Sequence, residues 1–405
     1  MNPALSNLQL YPFQRLNALK AQLPAPPADT PHIALSIGEP KHKAADFLVR
    51  ALQDEALVRH GLGTYPATLG SEDLRDSIAQ WLGTRFGAKV DAASQVLPVN
   101  GTREALFSFG QAVLSGKPGA AAMLPNPFYQ IYEGAIVLRG AEPVFMPTLK
   151  SNGYLPDFSA VSEAAWRRCE LVYLCSPGNP TGAVLDLAAL EALLELRDRH
   201  NFVIASDECY SEIYQDETAP PAGLLEACAK TGRDSFTGCV VFHSLSKRSN
   251  LPGLRSGFVA GDAKLLAPYF QYRTYHGCAM PAQVQAISAL AWQDEAHVQA
   301  NRLAYREKFA AVTPIIASCL DVEMPAAAFY LWPQTSADDQ EFAGALFAAE
   351  NVTALPGSFL SRRGADGINP GANHLRIALV APLDECVEAA ERIRGFVSAW
   401  SPSAC

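Results

Sequence analysis

Lys247 stands in the run Phe242-His243-Ser244-Leu245-Ser246-Lys247-Arg248-Ser249-Asn250-Leu251-Pro252-Gly253-Leu254-Arg255-Ser256-Gly257, directly after an apolar stretch. An amine on a flexible loop is a poor nucleophile, because its ammonium form dominates at neutral pH. A partly buried lysine beside a second cation, here Arg248, has a depressed pKa and can form a Schiff base with an aldehyde. The hydroxyls of Ser244 and Ser246 and the guanidinium of Arg255 suit a phosphate dianion. One short segment can therefore grip a small molecule at both an aldehyde and a phosphate. By itself S-x-S-K is also a common surface-loop pattern, so other residues have to agree with the chemical reading.

Several other stretches carry chemistry of their own. Asn100-Gly101-Thr102-Arg103 precedes a helical pattern. Unpaired backbone N–H groups at a helix start bind phosphate, and glycine lets the ligand approach closely. Ser176-Pro177-Gly178-Asn179-Pro180-Thr181-Gly182 is built of strong turn formers. Asp207, in Ser206-Asp207-Glu208-Cys209-Tyr210, sits where a strand should end, a place also taken by helix caps. Pro125-Asn126-Pro127-Phe128-Tyr129 puts aromatic rings at a similar place, where core packing is the plainer reading. Arg376 lies in the apolar run His374-Leu375-Arg376-Ile377-Ala378, and its planar guanidinium matches a carboxylate better than a lysine would. Tyr65, in Gly63-Thr64-Tyr65-Pro66, reads most simply as part of a surface turn.

The elements that must position these residues alternate along the chain. Ser71 is a candidate cap for a helix whose apolar face is Leu74, Ile78, Trp81 and Leu82. A second helix opens at Gly101-Thr102-Arg103, and a third runs from Leu187 to Arg199 with Asp186 as its cap. Short apolar runs at Ala120–Leu124, Pro143–Met146, Leu171–Cys175, Phe202–Ala205, Val240–Phe242 and Gly257–Ala260 read as strands. Strands separated by helices argue for an α/β fold with a mainly parallel sheet covered on both faces. Ligands bind at the carboxyl ends of such strands, just where the motifs fall. Beyond Pro281 a mostly helical stretch, Ala282 to Ala311, gives way to short strands near Val322, Phe329–Trp332 and Leu375–Leu379. A large domain over residues 44–281 is expected, with a smaller α+β domain from residues 1–43 and 282–405. The N-terminal part of the latter should hold a short helix from Phe13 to Leu23, a proline-rich connector and a strand at Ile33–Ile37.

The motifs, in this order, resemble those of the class I/II aminotransferases, pyridoxal 5′-phosphate enzymes of fold type I, over nearly the whole chain. The resemblance implies that Lys247 carries the cofactor and moves the substrate Cα proton. It implies that Asp207 pairs with the cofactor's pyridine nitrogen, and that Tyr210 and Asn179 bind the ring oxygen. Tyr129 stacks on the ring in this alignment, or Phe128 if the register slips by one. Gly101, Thr102, Arg103, Ser244, Ser246 and Arg255 share the phosphate. Arg376, with Asn179 and the Gly38 backbone, takes the substrate α-carboxylate. Tyr65 reaches the phosphate of a neighbouring subunit, which implies a homodimer with shared active sites.

A narrower likeness concerns the substrate. Leu35-Ser36-Ile37-Gly38-Glu39-Pro40-Lys41-His42, Tyr11-Pro12-Phe13 and the segment Ser246 to Arg255 are similar to the bacterial succinyldiaminopimelate aminotransferases. That implies transfer between N-succinyl-LL-2,6-diaminopimelate and the glutamate/2-oxoglutarate pair, in lysine biosynthesis. Lys41, His42, Arg248 and Arg273 are candidates for the distal carboxylate, none singled out by a motif. The alternatives are an aspartate or broad-range aminotransferase, a lyase of the same fold, and a cofactor-binding regulator without turnover. Such regulators carry a DNA-binding domain ahead of the family pattern, which begins here within the first few dozen residues.

Composition agrees with an enzyme. The chain has 405 residues, 49% of them apolar and 18% charged, enough for a large core. A net charge of −9 argues against a nucleic-acid partner. The nine cysteines have no C-x-x-C spacing, so neither zinc nor a disulfide framework is expected. Met1–Leu10 lacks the basic and apolar parts of a signal peptide, and no apolar run is long enough to span a membrane. A cytoplasmic home is expected.

Overall fold

The computed structural model of the chain describes residues 1–364 and 367–400. Its first strand, β1 (Ile33–Ala34), belongs to the smaller of two packed units. The larger unit is organised on seven strands: β2 (Val96–Val99), β3 (Ala121–Asn126), β4 (Glu142–Pro147), β5 (Cys169–Cys175), β6 (Val203–Asp207), β7 (Cys239–Ser244) and β8 (Gly257–Gly261). They lie in the order β2-β8-β7-β6-β5-β3-β4. β8 alone runs against the direction of the other six strands, so the mainly parallel sheet expected from the sequence is present.

Alternate residues along these strands serve opposite faces. Val172, Leu174, Ile204 and Val241 join one core with the helices Glu72–Phe86, Leu187–His200 and Leu224–Lys230. Leu171, Tyr173, Ala205 and Val240 join another with Thr102–Val113, Gln130–Leu138 and Ala263–His276. Burial on both faces explains why the strands read as continuous apolar runs. The expected caps are in place: Ser71 Oγ accepts from Leu74 N–H at 3.4 Å, and Asp186 Oδ1 from Ala189 N–H at 2.8 Å.

The smaller unit packs the helices Ala296–Ala317, Asp339–Glu350 and Leu383–Ala399 on short strands. These are β9 (Tyr330–Leu331), β10 (Val352–Thr353), β11 (Leu355–Pro356) and β12 (Leu375–Ala378). β12 lies between β11 and β9, antiparallel to both. β1 pairs with β10 in parallel, and Ile33 and Leu35 bury into this core.

Several expectations are corrected in detail. The helix expected from Phe13 to Leu23 spans Pro12–Lys20. The strand expected at Ile33–Ile37 is limited to Ile33–Ala34; Leu35 N–H still donates to the Thr353 carbonyl at 2.9 Å, and the Ser36 carbonyl accepts from Arg376. β2 escaped the sequence reading because Pro98 sits in it; an edge strand tolerates the missing N–H. The helical stretch after Pro281 is two helices, Ala282–Gln293 and Ala296–Ala317, with Asp294 at the break accepting from His297 N–H at 2.9 Å.

The first of these helices buries Ile287, Ala291 and Trp292 in the core of the large sheet. A boundary between 281 and 282 cuts it from that core, and we propose that the division falls after it. Trp292 is 2% exposed and packs on Trp81, ring centroids 4.7 Å apart. Replacing Trp292 by Ala should therefore lower unfolding stability by about 3–5 kcal/mol, read as a shifted urea midpoint. A change below about 1 kcal/mol would mean that the helix contributes little to that core.

Candidate active site

A cleft of about 520 Å³ opens where β5, β6 and β7 end. The sheet register sets what meets there. Cys175, the last residue of β5, lies opposite Asp207, the last of β6, and Asp207 lies opposite Phe242 of β7. β7 then runs into a single helical turn, Leu245–Arg248, which carries Lys247. Ser244 caps this turn, its Oγ accepting from Ser246 N–H at 3.1 Å.

Lys247 faces the cleft, and its Nζ donates to the Gly38 carbonyl at 2.5 Å. Burial lowers its pKa to about 8; Arg376 and Arg103 push the same way, against Cys209 and Glu39. The depressed pKa expected from the sequence is present, but Arg248 is not its cause. The Arg248 side chain turns away from the cleft, is 2% exposed, and lies over the packed rings of Trp81 and Trp292, 5.5 and 4.8 Å from their centroids. It donates to the Ala291 carbonyl at 2.6 Å and pairs with Glu295. Successive residues on one helical turn project about 100° apart, so neighbours in sequence need not share a site.

Asp207 is 5% exposed and accepts from the Tyr132 hydroxyl at 2.6 Å and from Cys209 N–H at 3.3 Å. Burial outweighs these bonds and raises its pKa above the ordinary carboxylate value. Such a group gains from a cationic partner. Tyr132 escaped the sequence reading; it lies in the first turn of the helix Gln130–Leu138, which Tyr129 precedes as the extended N-cap residue. Tyr129 lines the cleft, whereas Phe128 is buried and stacked on Phe145. Tyr210 shares a hydrogen bond of 2.8 Å with Tyr330, a further lining residue with no sequence signal.

Arg376, on β12, is 4% exposed and reaches the cleft from the smaller unit. Its Nη1 donates to Asn179 Oδ1 at 3.0 Å and its Nη2 to the Ser36 carbonyl at 2.7 Å. Its Nε is buried without a partner, a donor that an incoming carboxylate would satisfy. Gly38 lies alongside, where a Cβ would come within 2.1 Å of the Tyr330 hydroxyl.

The phosphate candidates gather at another edge. Gly101 has φ +79°, and a Cβ on it would stand 2.2 Å from Arg255 Nη2, so only glycine permits this approach. Thr102 begins the helix Thr102–Val113, and its Oγ1 contacts Cys209 Sγ at 3.1 Å. Ser244, Ser246 and Arg255 line the same cleft. Arg103 also lines it, but its Nε donates to the Tyr129 hydroxyl at 2.7 Å.

Tyr65 does not join this group and is fully exposed. None of the four distal-carboxylate candidates lines the cleft. Arg248 is engaged as described, Arg273 is buried against Glu104 at 2.8 Å, His42 bonds to Asn301 at 2.9 Å, and Lys41 is exposed.

The pattern of the family described as "Aminotransferase class I and II" matches residues 30–393. The chain belongs to that family. A crystal structure of an aminotransferase from Neisseria meningitidis Z2491 is 47% identical, covering 98% of this chain and 100% of that one, with a TM-score of 0.92. An LL-diaminopimelate aminotransferase from Nitratidesulfovibrio vulgaris (strain DSM 19637 / Miyazaki F) is 31% identical over 96% of this chain and 97% of its own. A probable N-succinyldiaminopimelate aminotransferase from Thermus thermophilus is 26% identical over 95% and 99%, with a TM-score of 0.81.

Aminotransferases of this family use pyridoxal 5′-phosphate, and the residues present fit it. A buried carboxyl in want of a cation, an amine with a lowered pKa and a glycine cradle beside an arginine match its pyridine nitrogen, aldehyde and phosphate.

This geometry can be tested at the lysine and at the glycine. In the cofactor-free protein, Lys247 is protonated below its folded pKa of about 8 and neutral above it. Its acylation rate, followed by mass spectrometry, should rise with pH and level off above that value, while exposed lysines keep gaining reactivity to about pH 10.4. A Lys247 profile that matched exposed lysines would contradict the burial effect. Gly101→Ala should weaken cofactor retention during dialysis by about ten-fold or more, since both the positive φ and the Arg255 approach are lost; unchanged retention would remove Gly101 from the phosphate set.

Proposed function

We propose that this aminotransferase moves an amino group between N-succinyl-LL-2,6-diaminopimelate and 2-oxoglutarate, in lysine biosynthesis in the cytoplasm. The observation that carries the amino-acid part is Arg376, with its unpartnered buried Nε beside Lys247. The substrate α-carboxylate docks on its guanidinium, helped by Asn179 and the Gly38 backbone. Lys247, whose amine faces the cleft, would be the residue that holds the cofactor at its aldehyde end. Once free, the amine takes the Cα proton as general base and returns it as general acid. Its pKa of about 8 suits both duties near neutral pH. With the cofactor bound, Asp207 would pair with the pyridine nitrogen and favour its protonated form, Tyr210 and Asn179 would hold the ring oxygen, and Tyr129 would lie over the ring. Bound pyridoxal phosphate supplies the electron sink for the pair left at Cα.

Support for the succinylated substrate is that Tyr11–Phe13, and Ile37, Gly38 and Glu39 of the stretch Leu35–His42, both similar to the succinyldiaminopimelate enzymes, line the cleft. The exposed Arg103, on the same cleft, is a cation for a distal carboxylate. The enzyme acts as a homodimer in which Tyr65 reaches the partner's phosphate. Its full exposure, with Leu62 exposed three residues earlier, suits contact with a second copy. A second reading is free LL-diaminopimelate, the substrate named for a relative 31% identical. Glu39 in the cleft is a carboxylate for its distal ammonium.

The deciding experiment is a single-turnover titration of the holoenzyme, following the change in cofactor absorbance. N-succinyl-LL-diaminopimelate, LL-diaminopimelate and aspartate are compared. The succinylated compound should react at the lowest concentration. Faster reaction with the free diamine would transfer the assignment to the second reading, and preference for aspartate would discard both.

A further inference from the structure

The main chain of Lys247 is held by a residue far away in sequence. Asn301, on the helix Ala296–Ala317, is 5% exposed. Its Nδ2 donates to the Lys247 carbonyl at 3.1 Å and to the Arg248 carbonyl at 3.3 Å. Those are carbonyls that a single helical turn cannot satisfy from within. Its Oδ1 accepts from Asn250 Nδ2 at 2.7 Å and from His42 Nδ1 at 2.9 Å. The amide orientation is dictated by these partners, since the reverse would set an oxygen against two carbonyls. Because Oδ1 can only accept, the His42 proton sits on Nδ1.

His42 closes a ring of contacts. It lies four residues after Gly38, whose carbonyl receives Lys247 Nζ. Both ends of the lysine, main-chain carbonyl and side-chain amine, are thus tied to the segment Gly38–His42: the amine directly, the backbone through Asn301. The His42 ring in turn packs on Tyr305, one helical turn beyond Asn301, with ring centroids 4.5 Å apart. The helix itself is anchored on the loop after β6, where Arg302 Nε bonds Glu217 at 2.9 Å and its Nη1 bonds the Glu212 carbonyl at 3.0 Å.

We propose that Asn301, acting with His42, is a positioning residue. It fixes the base of the Lys247 side chain relative to the segment that lines the substrate, and so sets the reach of the amine to the Cα proton. Proton transfer is sensitive to such placement, since a shift of about 1 Å can cost on the order of 100-fold in rate. The inference rests on the aminotransferase reaction, not on which diaminopimelate form is the substrate.

The test uses the holoenzyme and whichever of N-succinyl-LL-diaminopimelate, LL-diaminopimelate and L-glutamate the wild-type enzyme converts fastest, so failure of the substrate assignment leaves it intact. Asn301→Ala should lower the single-turnover rate constant about ten-fold or more while the substrate's half-saturation concentration stays within about two-fold. The kinetic isotope effect with the Cα-deuterated substrate should rise. The pH midpoint of the visible absorbance change of the holoenzyme should move, a signal that lost stability alone does not produce. His42→Phe keeps a ring against Tyr305 and removes the Nδ1 donor. It should change the rate constant and the midpoint in the same direction by less. Wild-type rate, isotope effect and midpoint in His42→Phe would overturn the proposal, including the case in which Asn301→Ala fails to fold. A loss of activity in Asn301→Ala that followed only lost cofactor or lost folded protein would also overturn it.

Discussion

The cleft is built on buried charge that the chain does not fully neutralise. The Asp207 carboxyl is buried with its pKa raised, the Lys247 amine is buried with its pKa lowered, and Arg376 keeps one guanidinium donor without a partner. Each is costly in a fold whose net stability is only a few kcal/mol. The two cores that cover the seven-stranded sheet offset this, and the register of β5, β6 and β7 delivers the groups to one edge. The unsatisfied groups are complementary to a cationic ring nitrogen, an aldehyde and a carboxylate. The cost of holding them apart from solvent is relieved when those partners arrive.

The two units of the chain divide this labour. The sheet supplies Asp207, Tyr210 and Lys247 from strand ends, while the smaller unit supplies Arg376 from β12. They meet through short bonds, Arg376 to Asn179 and Arg376 to the Ser36 carbonyl. The guanidinium spans the junction, so its geometry depends on both units, and under the proposed function that geometry sets the seat of the substrate carboxylate.

Much of this was legible in the sequence because the chemical residues follow directly on apolar runs. The runs marked the strands, and parallel-sheet topology gathered their ends, which brings Lys247, Asp207 and Asn179 to one cleft; the roles expected of them came from the family resemblance. What the sequence concealed is local geometry. Arg248 is adjacent to Lys247, yet faces two tryptophans across the helical turn. β2 was hidden by Pro98, which only its edge position makes acceptable. Tyr132 and Tyr330 meet Asp207 and Tyr210 through folding alone, with no spacing rule that joins Tyr330 to Tyr210. Asn301 lies more than fifty residues from the lysine whose backbone it holds, and asparagine on a helix announces nothing by its type.

The wall formed by Tyr11, Pro12 and Phe13 belongs to no strand of the sheet; it is the start of a separate helix, Pro12–Lys20. Recognition and proton handling are therefore housed in parts that can diversify independently. A lineage could exchange the side chains of that helix start and acquire a new amino-acid preference while the lysine, the aspartate and their supports stayed as they are. In such an arrangement relatives with almost superimposable backbones drift apart in diet, and a directed-evolution library for new specificity has a natural place to begin.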